Sequence, residues 1–480
     1  TNNNTTTNIS NNSSNNNNNT NNNNNSNANA VTDMLAVSER QVQRRLNRRT
    51  KSQISSSFAS SKRFVTGSAA FGATPTTTPT TTTVVAWGKN ENGVLSVFSS
   101  EPSLDQVLVP SSDHAVGSLI PQDICLEHEG MYVVSNSGNA FESRRGTMVQ
   151  LSFIEDDPIQ KIHTLAFGGF HTLLMSTSGH VYSFGTGLYG KLGHGDTRDT
   201  PSYKRIDNLV TCKIVSIACG RHHSAAVTET GAVYCWGAGE HGRLGLGDER
   251  DQSLPTMVGA LSDVVSVSCG HKHTLALTKA GLVYGWGSTD TGRLGVSPVP
   301  RRRQCYPLII ATLSDVVKIV ASVHSSAALT ASGQLFVWGS GRNFCLGTET
   351  ATNVFAPLQI LPRANDGDQF VIDADLSQNG GFAVTRDGTV YGWGLNEQGQ
   401  LNTLQMKSSP APIVLAPLAG YRVNRVVCSR SGAVAWFAQE TPAQPPTCSS
   451  QTPNALAFVS IDDEDGLDTD LESSRNTSSR

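Results

Sequence analysis

Between Ile214 and Asp248 the chain runs through one pattern of apolar and polar positions, IVSIACGRHHSAAVTETGAVYCWGAGEHGRLGLGD. From Val264 to Val296 it runs through it again as VVSVSCGHKHTLALTKAGLVYGWGSTDTGRLGV. Ile214–Cys219 alternates with a period of two, which predicts a half-buried strand. Gly220, Arg221, His222 and His223 predict a turn. Ser224–Thr228 predicts the returning strand, Thr230-Gly231 a hairpin, and Ala232–Trp236 a third strand ended by Gly237. A glycine-rich loop follows from Ala238 to Asp248. A weaker fourth strand is expected near Pro255–Val258.

The pattern recurs along most of the chain. An aromatic marks the end of the third strand at Trp87, Phe141, Phe184, Trp236, Trp286, Trp338 and Trp393, at intervals of 43 to 55 residues. First-strand turns are expected near Glu127, Gly168, Gly220, Gly270, Ser322, Asp375 and Ser429, so both features count seven units. A single four-stranded antiparallel sheet is too small to be stable alone. Radial stacking covers both faces of each sheet, and this predicts an all-β, seven-bladed β-propeller. The chain enters at Val84–Gly88 as a third strand without its first two. It leaves at Arg425–Phe437 as a first and second strand without a third. Pairing of the N- and C-terminal strands would then close the ring. The expected domains are 1–83, Asn/Thr-rich then basic; 84–437, the propeller; and 438–480, an acidic tail, both ends being expected to be disordered.

The run CG-x-x-H-[ST]-x-A-[LV]-T-x-x-G-x-V-Y-x-WG-x-x-x-x-G-R-LG, seen in Cys219–Gly245 and Cys269–Gly295, resembles the repeat of the regulator of chromosome condensation (RCC1) family. The resemblance covers about Val84–Phe437 and is weakest around Phe141. It implies a propeller that binds proteins. Members of that family include the exchange factor for the small GTPase Ran, ultraviolet photoreceptors and ubiquitin-ligase subunits, so the repeat alone does not fix the activity.

Composition narrows the classes. The 480 residues are 38% hydrophobic and 16% charged, with a net charge of −3, which excludes a globally basic nucleic-acid binder. The charge is uneven. Residues 1–83 carry eight Lys/Arg against two acids, and residues 441–480 carry seven acids against two arginines. Arg44, Arg45, Arg48, Arg49 and Lys51 form a candidate nuclear-import or nucleic-acid contact in the basic segment. No apolar run reaches the ~18 residues of a transmembrane helix, and no signal peptide is expected in the first thirty residues. The nine cysteines form no CxxC pair; Cys219, Cys269 and Cys428 share one repeat position and are expected to be buried free thiols. A reducing compartment, cytoplasmic or nuclear, is expected.

His171, His223, His273 and His324 recur at one repeat position, which suggests a structural hydrogen bond repeated between strands rather than a metal or general base. The Trp residues read as blade core. Only six Trp occur and five sit at that core position, which argues against light sensing by clustered Trp. No P-loop, GxSxG or HExxH motif occurs, so no catalytic residue, cofactor or metal is expected. Asp196 and Asp248 read as turn caps.

The first-strand turns and glycine-rich loops should emerge on one end of the propeller, since two strand reversals separate them. That end would display Arg221, His222, Glu240, His241, Arg243, Lys272, Asp290, Arg293, Arg342 and Asn343, a basic surface suited to an acidic partner. The first reading is a monomeric protein-interaction module, scaffold or regulator. The second is a guanine-nucleotide exchange factor for a Ran-like small GTPase, disfavoured because no wedge-length insertion follows Trp236 or Trp286. The third is chromatin or polyanion association through the basic segment.

Overall fold

A computed structural model of the chain describes residues 83–88, 107–108, 121–127, 130–144, 147–151, 161–259, 261–297, 302–362, 369–397, 399–401, 406–415, 423–428 and 432–437. They all fall in the first of two compact units, residues 1–439 and 440–480. The basic segment with Arg44, Arg45, Arg48, Arg49 and Lys51, and the acidic tail, lie outside the described residues.

The unit is an all-β propeller of antiparallel four-stranded sheets. Six blades are continuous in sequence. Blade one comprises Pro121–Glu127, Gly130–Ser135, Ala140–Arg144 and Thr147–Gln150. Blade two comprises Ile162–Phe167, His171–Ser176, Val181–Gly185 and Thr200–Arg205. Blade three comprises Ile214–Cys219, His223–Thr228, Val233–Gly237 and Gln252–Met257. Blade four comprises Val264–Cys269, His273–Thr278, Val283–Ser288 and Arg303–Ile309. Blade five comprises Val316–Ala321, Ser325–Thr330, Leu335–Gly339 and Val354–Leu361. Blade six comprises Val371–Leu376, Gly380–Thr385, Val390–Leu395 and Ser408–Val414. A further sheet is composite, in the order Val107–Leu108, Thr83–Gly88, Gly432–Phe437, Arg425–Cys428. Thr83–Gly88 pairs with Gly432–Phe437 along its whole length.

The first strands of neighbouring sheets abut, so they stand at the centre and the fourth strands lie outermost. This explains the pattern along the chain. Second strands such as HSAAVT at His223–Thr228 are buried at every position, because neighbouring blades cover both faces. Fourth strands have a free outer edge, and Pro255, which cannot donate to a ladder, is tolerated there. Trp236, Trp286, Trp338 and Trp393 are fully buried between sheets.

The register corrects two assignments. Trp236 lies opposite Ser224 and Tyr234 opposite Ala226. In blade one, Phe141 lies opposite Val133, next to the Ala140–Val134 pair that matches Val233–Val227. Phe141 therefore holds the tyrosine position, and Ser143 holds the tryptophan register. Hydrophobicity misled the alignment because this blade carries only one large aromatic in its third strand. The second correction is His324. The second strand of blade five begins at Ser325, opposite Gly339, as His223 lies opposite Gly237. His324 is thus one residue early, equivalent to His222 and Lys272. The turn expected near Asp375 falls at residues 377–379, just past the strand that holds Asp375.

Candidate interaction face

The turn after each first strand and the loop after each third strand are tied together by backbone hydrogen bonds. Thr186 N donates to Phe170 O (2.9 Å), Ala238 N to His222 O (2.8 Å), Ser288 N to Lys272 O (2.8 Å) and Ser340 N to His324 O (3.0 Å). Both sets of loops therefore share one end of the propeller. Gly237, at φ 104°, makes the close approach possible, since a Cβ there would stand 2.5 Å from His222 O.

Each loop folds as a short 3-10 turn, Leu188–Gly190, Glu240–Gly242, Asp290–Gly292 or Arg342–Phe344. Its second residue is a non-glycine in the left-handed region: Tyr189 (φ 64°), His241 (64°), Thr291 (62°) and Asn343 (59°). Such backbone is uncommon outside glycine and persists only where the surroundings fix it. Here the next turn fixes it. The carbonyls of Lys191, Arg243 and Arg293 accept from the Trp Nε1 of the following blade, Trp236 (2.9 Å), Trp286 (3.0 Å) and Trp338 (2.9 Å). The same carbonyls accept from Ser224, Thr274 and Ser326 hydroxyls (2.8 to 2.9 Å). Those hydroxyls also bond Nε2 of His171, His223 and His273 (2.8 to 2.9 Å). Burial holds these three imidazoles neutral, His171 at about 3 and the other two well below the ordinary range. They are structural members of a lattice that positions the loops.

The lattice also corrects the expected exposure of two arginines. Arg243 and Arg293 are 2% and 3% exposed, not displayed on the rim. With their carbonyls pinned inward, each guanidinium folds back under its own loop: Arg243 Nε donates to Glu240 O (2.7 Å) and Arg293 Nε to Asp290 O (2.9 Å). Lys191 is the third buried cation at this position, with Nζ 5.3 Å from the Phe170 ring centroid.

Arg221, Asp290 and Arg342 are exposed, while His222, His241 and Lys272 are half-buried. The structure brings most of them together. Lys272 Nζ bonds His241 Nε2 (2.9 Å), and His241 lies 3.3 Å from Glu240. The His222 ring lies parallel to Phe170 at 6.3 Å and edge-on to Tyr189 at 5.4 Å, and Arg221 stands 5.5 Å from the Phe170 centroid. Phe170, Leu188 and Tyr189, large apolar groups exposed on this end, were missed in the sequence. Their signal was present: blade two carries Gly-Phe-His and Leu-Tyr-Gly where blade three carries Arg-His-His and Glu-His-Gly.

The electrostatics of this end are positive. Burial first, then Lys191, Arg221 and Arg243, lowers His222 to about 4. Burial, then Arg221, His324, His222 and Arg293, lowers His271 to about 3. Asp196 and Asp248 cap their turns as expected, accepting Arg198 N and Arg250 N at 3.1 Å. Among the described residues no cluster of three or more His, Cys, Asp or Glu has metal-binding geometry, and no helix is long and apolar enough to cross a membrane.

Fold and face together define a β-propeller with a loop-built face at one end. The repeat is of RCC1 type: the regulator of chromosome condensation (RCC1) repeat matches at residues 178–227, 230–277, 280–329 and 387–436, and a second form of it at 214–243, 264–293 and 373–400. The chain is similar to the E3 ubiquitin-protein ligase HERC2 of Homo sapiens, 32% identical over 388 residues. That match covers 76% of this chain but only 8% of that protein. It is 28% identical over 395 residues to the Ultraviolet-B receptor UVR8 of Arabidopsis thaliana, covering 80% of this chain and 87% of the receptor. In fold it resembles Prp20p from Saccharomyces cerevisiae, with a TM-score of 0.65 at 18% identity over 76% of this chain and 93% of that one.

Proposed function

We propose that this chain is a protein-interaction module whose loop end binds an acidic protein partner. The observation that carries the reading is the joint placement of Arg221, His222, Lys272 and Arg342 with exposed Phe170, Leu188 and Tyr189 on one end. A mixed cationic and aromatic patch is the composition that binding centres favour. Prp20p, which shares the fold, binds Gsp1p and histones, which supports a protein-binding role; the acidic character of the partner rests on the charge of this face. Nucleotide exchange on a small GTPase ranks second, since the loop after Trp236 folds back through one short 3-10 turn, with no inserted wedge.

We read the propeller as a ring of seven blades, with the composite sheet as the seventh. The six-residue pairing of Thr83–Gly88 with Gly432–Phe437 supports this, as does contact of Arg425–Cys428 with the first strands of blades six and one. Cys219, Cys269 and Cys428 are not joined in disulfides, which suits a reducing compartment, the cytosol or nucleus.

The test is capture of partners by the intact chain and by an Arg221→Glu, Lys272→Glu variant. A partner identified with the first and lost with the second supports the reading. Equal capture by both places binding elsewhere. Release of a fluorescent guanine nucleotide from a Ran-like GTPase, measured alongside, would promote the exchange reading if the chain accelerates it strongly.

A further inference from the structure

Blades three and four repeat one loop with one difference. In blade three, the buried Arg243 is fully matched: Nε to Glu240 O, NH1 to His271 O (3.1 Å) and NH2 to the Glu240 carboxylate (3.0 Å). In blade four, Arg293 keeps the Nε bond to Asp290 O, but NH2 reaches only Thr291 Oγ1 at 3.5 Å. Its NH1 is buried without a partner among the described residues. In blade three NH1 is served by the His271 carbonyl and NH2 by the Glu240 carboxylate, and the weaker NH2 contact in blade four has its cause in the sequence. Asp290 is one methylene shorter than Glu240, and its carboxylate is taken by the Ser288 hydroxyl (2.9 Å), where blade three has Ala238.

A buried guanidinium without an anion is costly, and natural interiors rarely leave one. The surroundings add to the demand. His271 and His324 stand edge to face at 6.0 Å beside it, and Lys272, Arg221 and Arg342 contribute further positive charge. Arg243 is ion-paired with Glu240, whereas among the described residues no carboxylate reaches Arg293 directly and Asp290 acts on it only from further off.

We infer that Arg293, with His271 and His324, forms an oxyanion site that takes one carboxylate or phosphoryl group of the acidic partner. The inference rests on the proposed interaction face and names the chemical group bound there. The partner's oxyanion would stand where the Glu240 carboxylate stands in blade three. The two imidazoles, neutral when the site is empty, can each donate one N–H to it.

The test uses the full chain and inorganic phosphate, with acetate in a second arm, at constant ionic strength. Binding is followed by the imidazole and guanidinium NMR signals of the labelled protein. Saturable phosphate binding is expected. Asp290→Glu combined with Ser288→Ala rebuilds the blade-three arrangement and supplies the missing carboxylate from the chain itself. It should weaken phosphate binding by at least about tenfold while raising the melting temperature. Lys213→Gln, an exposed charge paired with Glu229 and outside this face, should leave phosphate binding within about twofold. Saturation by acetate as well as phosphate assigns the site to carboxylates, and saturation by phosphate alone assigns it to phosphoryl groups. No saturable binding, or binding unchanged in the Asp290→Glu, Ser288→Ala variant, overturns the inference. Because no partner is needed, these outcomes are independent of the capture experiment: the face can bind an acidic protein without this site, and the site can fill with phosphate on a face that binds none.

Discussion

Two kinds of seam join the sheets. From blade two to blade five, a neutral imidazole reaches a hydroxyl on the next blade: His171 to Ser224, His223 to Thr274 and His273 to Ser326. From blade five through the composite sheet to blade two, carboxylates do the joining. Asp373 pairs with Lys318 and accepts Val426 N (2.9 Å). Asp375 accepts Cys428 N (2.9 Å). Asp123 pairs with Arg425 (2.9 Å) and accepts from Thr164 (2.5 Å). The histidine seams need a group without charge, and the carboxylate seams work best with a group that carries one. One fold is thus held by two chemistries, an imidazole that must stay unprotonated and a carboxylate that pairs best when ionised, and the seams beside the composite sheet are the ones built from ions.

Acid should separate the two kinds of seam most strongly. A histidine whose folded pKa is depressed takes up its proton more readily when unfolded. Its contribution is complete above the unfolded value near 6.5 and is lost as pH falls from there toward the folded value, about 3 for His171. Each such group can cost up to about 1.4 kcal/mol per pH unit in that window, so three cost about 4 kcal/mol per unit at most. Burial raises Asp375 instead, so its carboxyl protonates earlier in the fold than unfolded, and acid partly relieves that seam. The denaturation midpoint should therefore drop steeply between pH 6.5 and 4.5. His222 and His271 are depressed as well, so His223→Gln should shallow that slope by about one fifth. An unchanged slope would mean that the imidazoles are not the groups being titrated.

The next effect in size falls on the shared core. Trp286→Ala removes a fully buried ring and the donor to Arg243 O, and should cost about 3–5 kcal/mol by denaturant unfolding. A smaller effect belongs to the ionic seam. Arg425→Met leaves Asp123 still bonded to Thr164, and the Arg425 side chain is 41% exposed, so the loss should be only about 1–2 kcal/mol. High salt should shrink that loss while leaving the Trp286→Ala cost unchanged.

Most of the architecture was legible because it repeats. Period-two strands, a hairpin glycine and a Trp-Gly end occur often enough that each repeat checks the others. Errors came where one unit departs from its siblings. Phe141 was aligned by size, although the register gives its place to a tyrosine. His324 was aligned as a histidine, although Ser325 holds the structural position. The candidate face was legible as a set of loops but not as a surface. Nothing local in Gly-Arg-Leu-Gly says that its arginine turns inward; that follows from a carbonyl pinned by a tryptophan about 45 residues later. Aromatics in this repeat are mostly core, and only the fold shows that Phe170 and Tyr189 are exposed.

The smallest stability effect carries the functional test. Arg221 is exposed and Lys272 half-buried, and neither belongs to a seam. Arg221 leans on the Phe170 ring, and Lys272 contacts His241. Reversing both charges should change unfolding free energy by less than about 0.5 kcal/mol, since surface changes away from core, caps and networks usually do. The same pair should weaken an acidic partner by about tenfold or more if those charges meet it directly, and slow its association more at low salt than at high. The acid loss due to His171, His223 and His273 should persist in the variant, while that due to His222 and His271 should lessen, because Arg221 helps to lower both. A variant that loses both partner and stability would mean that these side chains brace the loops rather than contact the partner. Keeping both would leave Phe170, Leu188 and Tyr189 as the binding centre, to be tested next by Phe170→Ala with partner affinity as the readout.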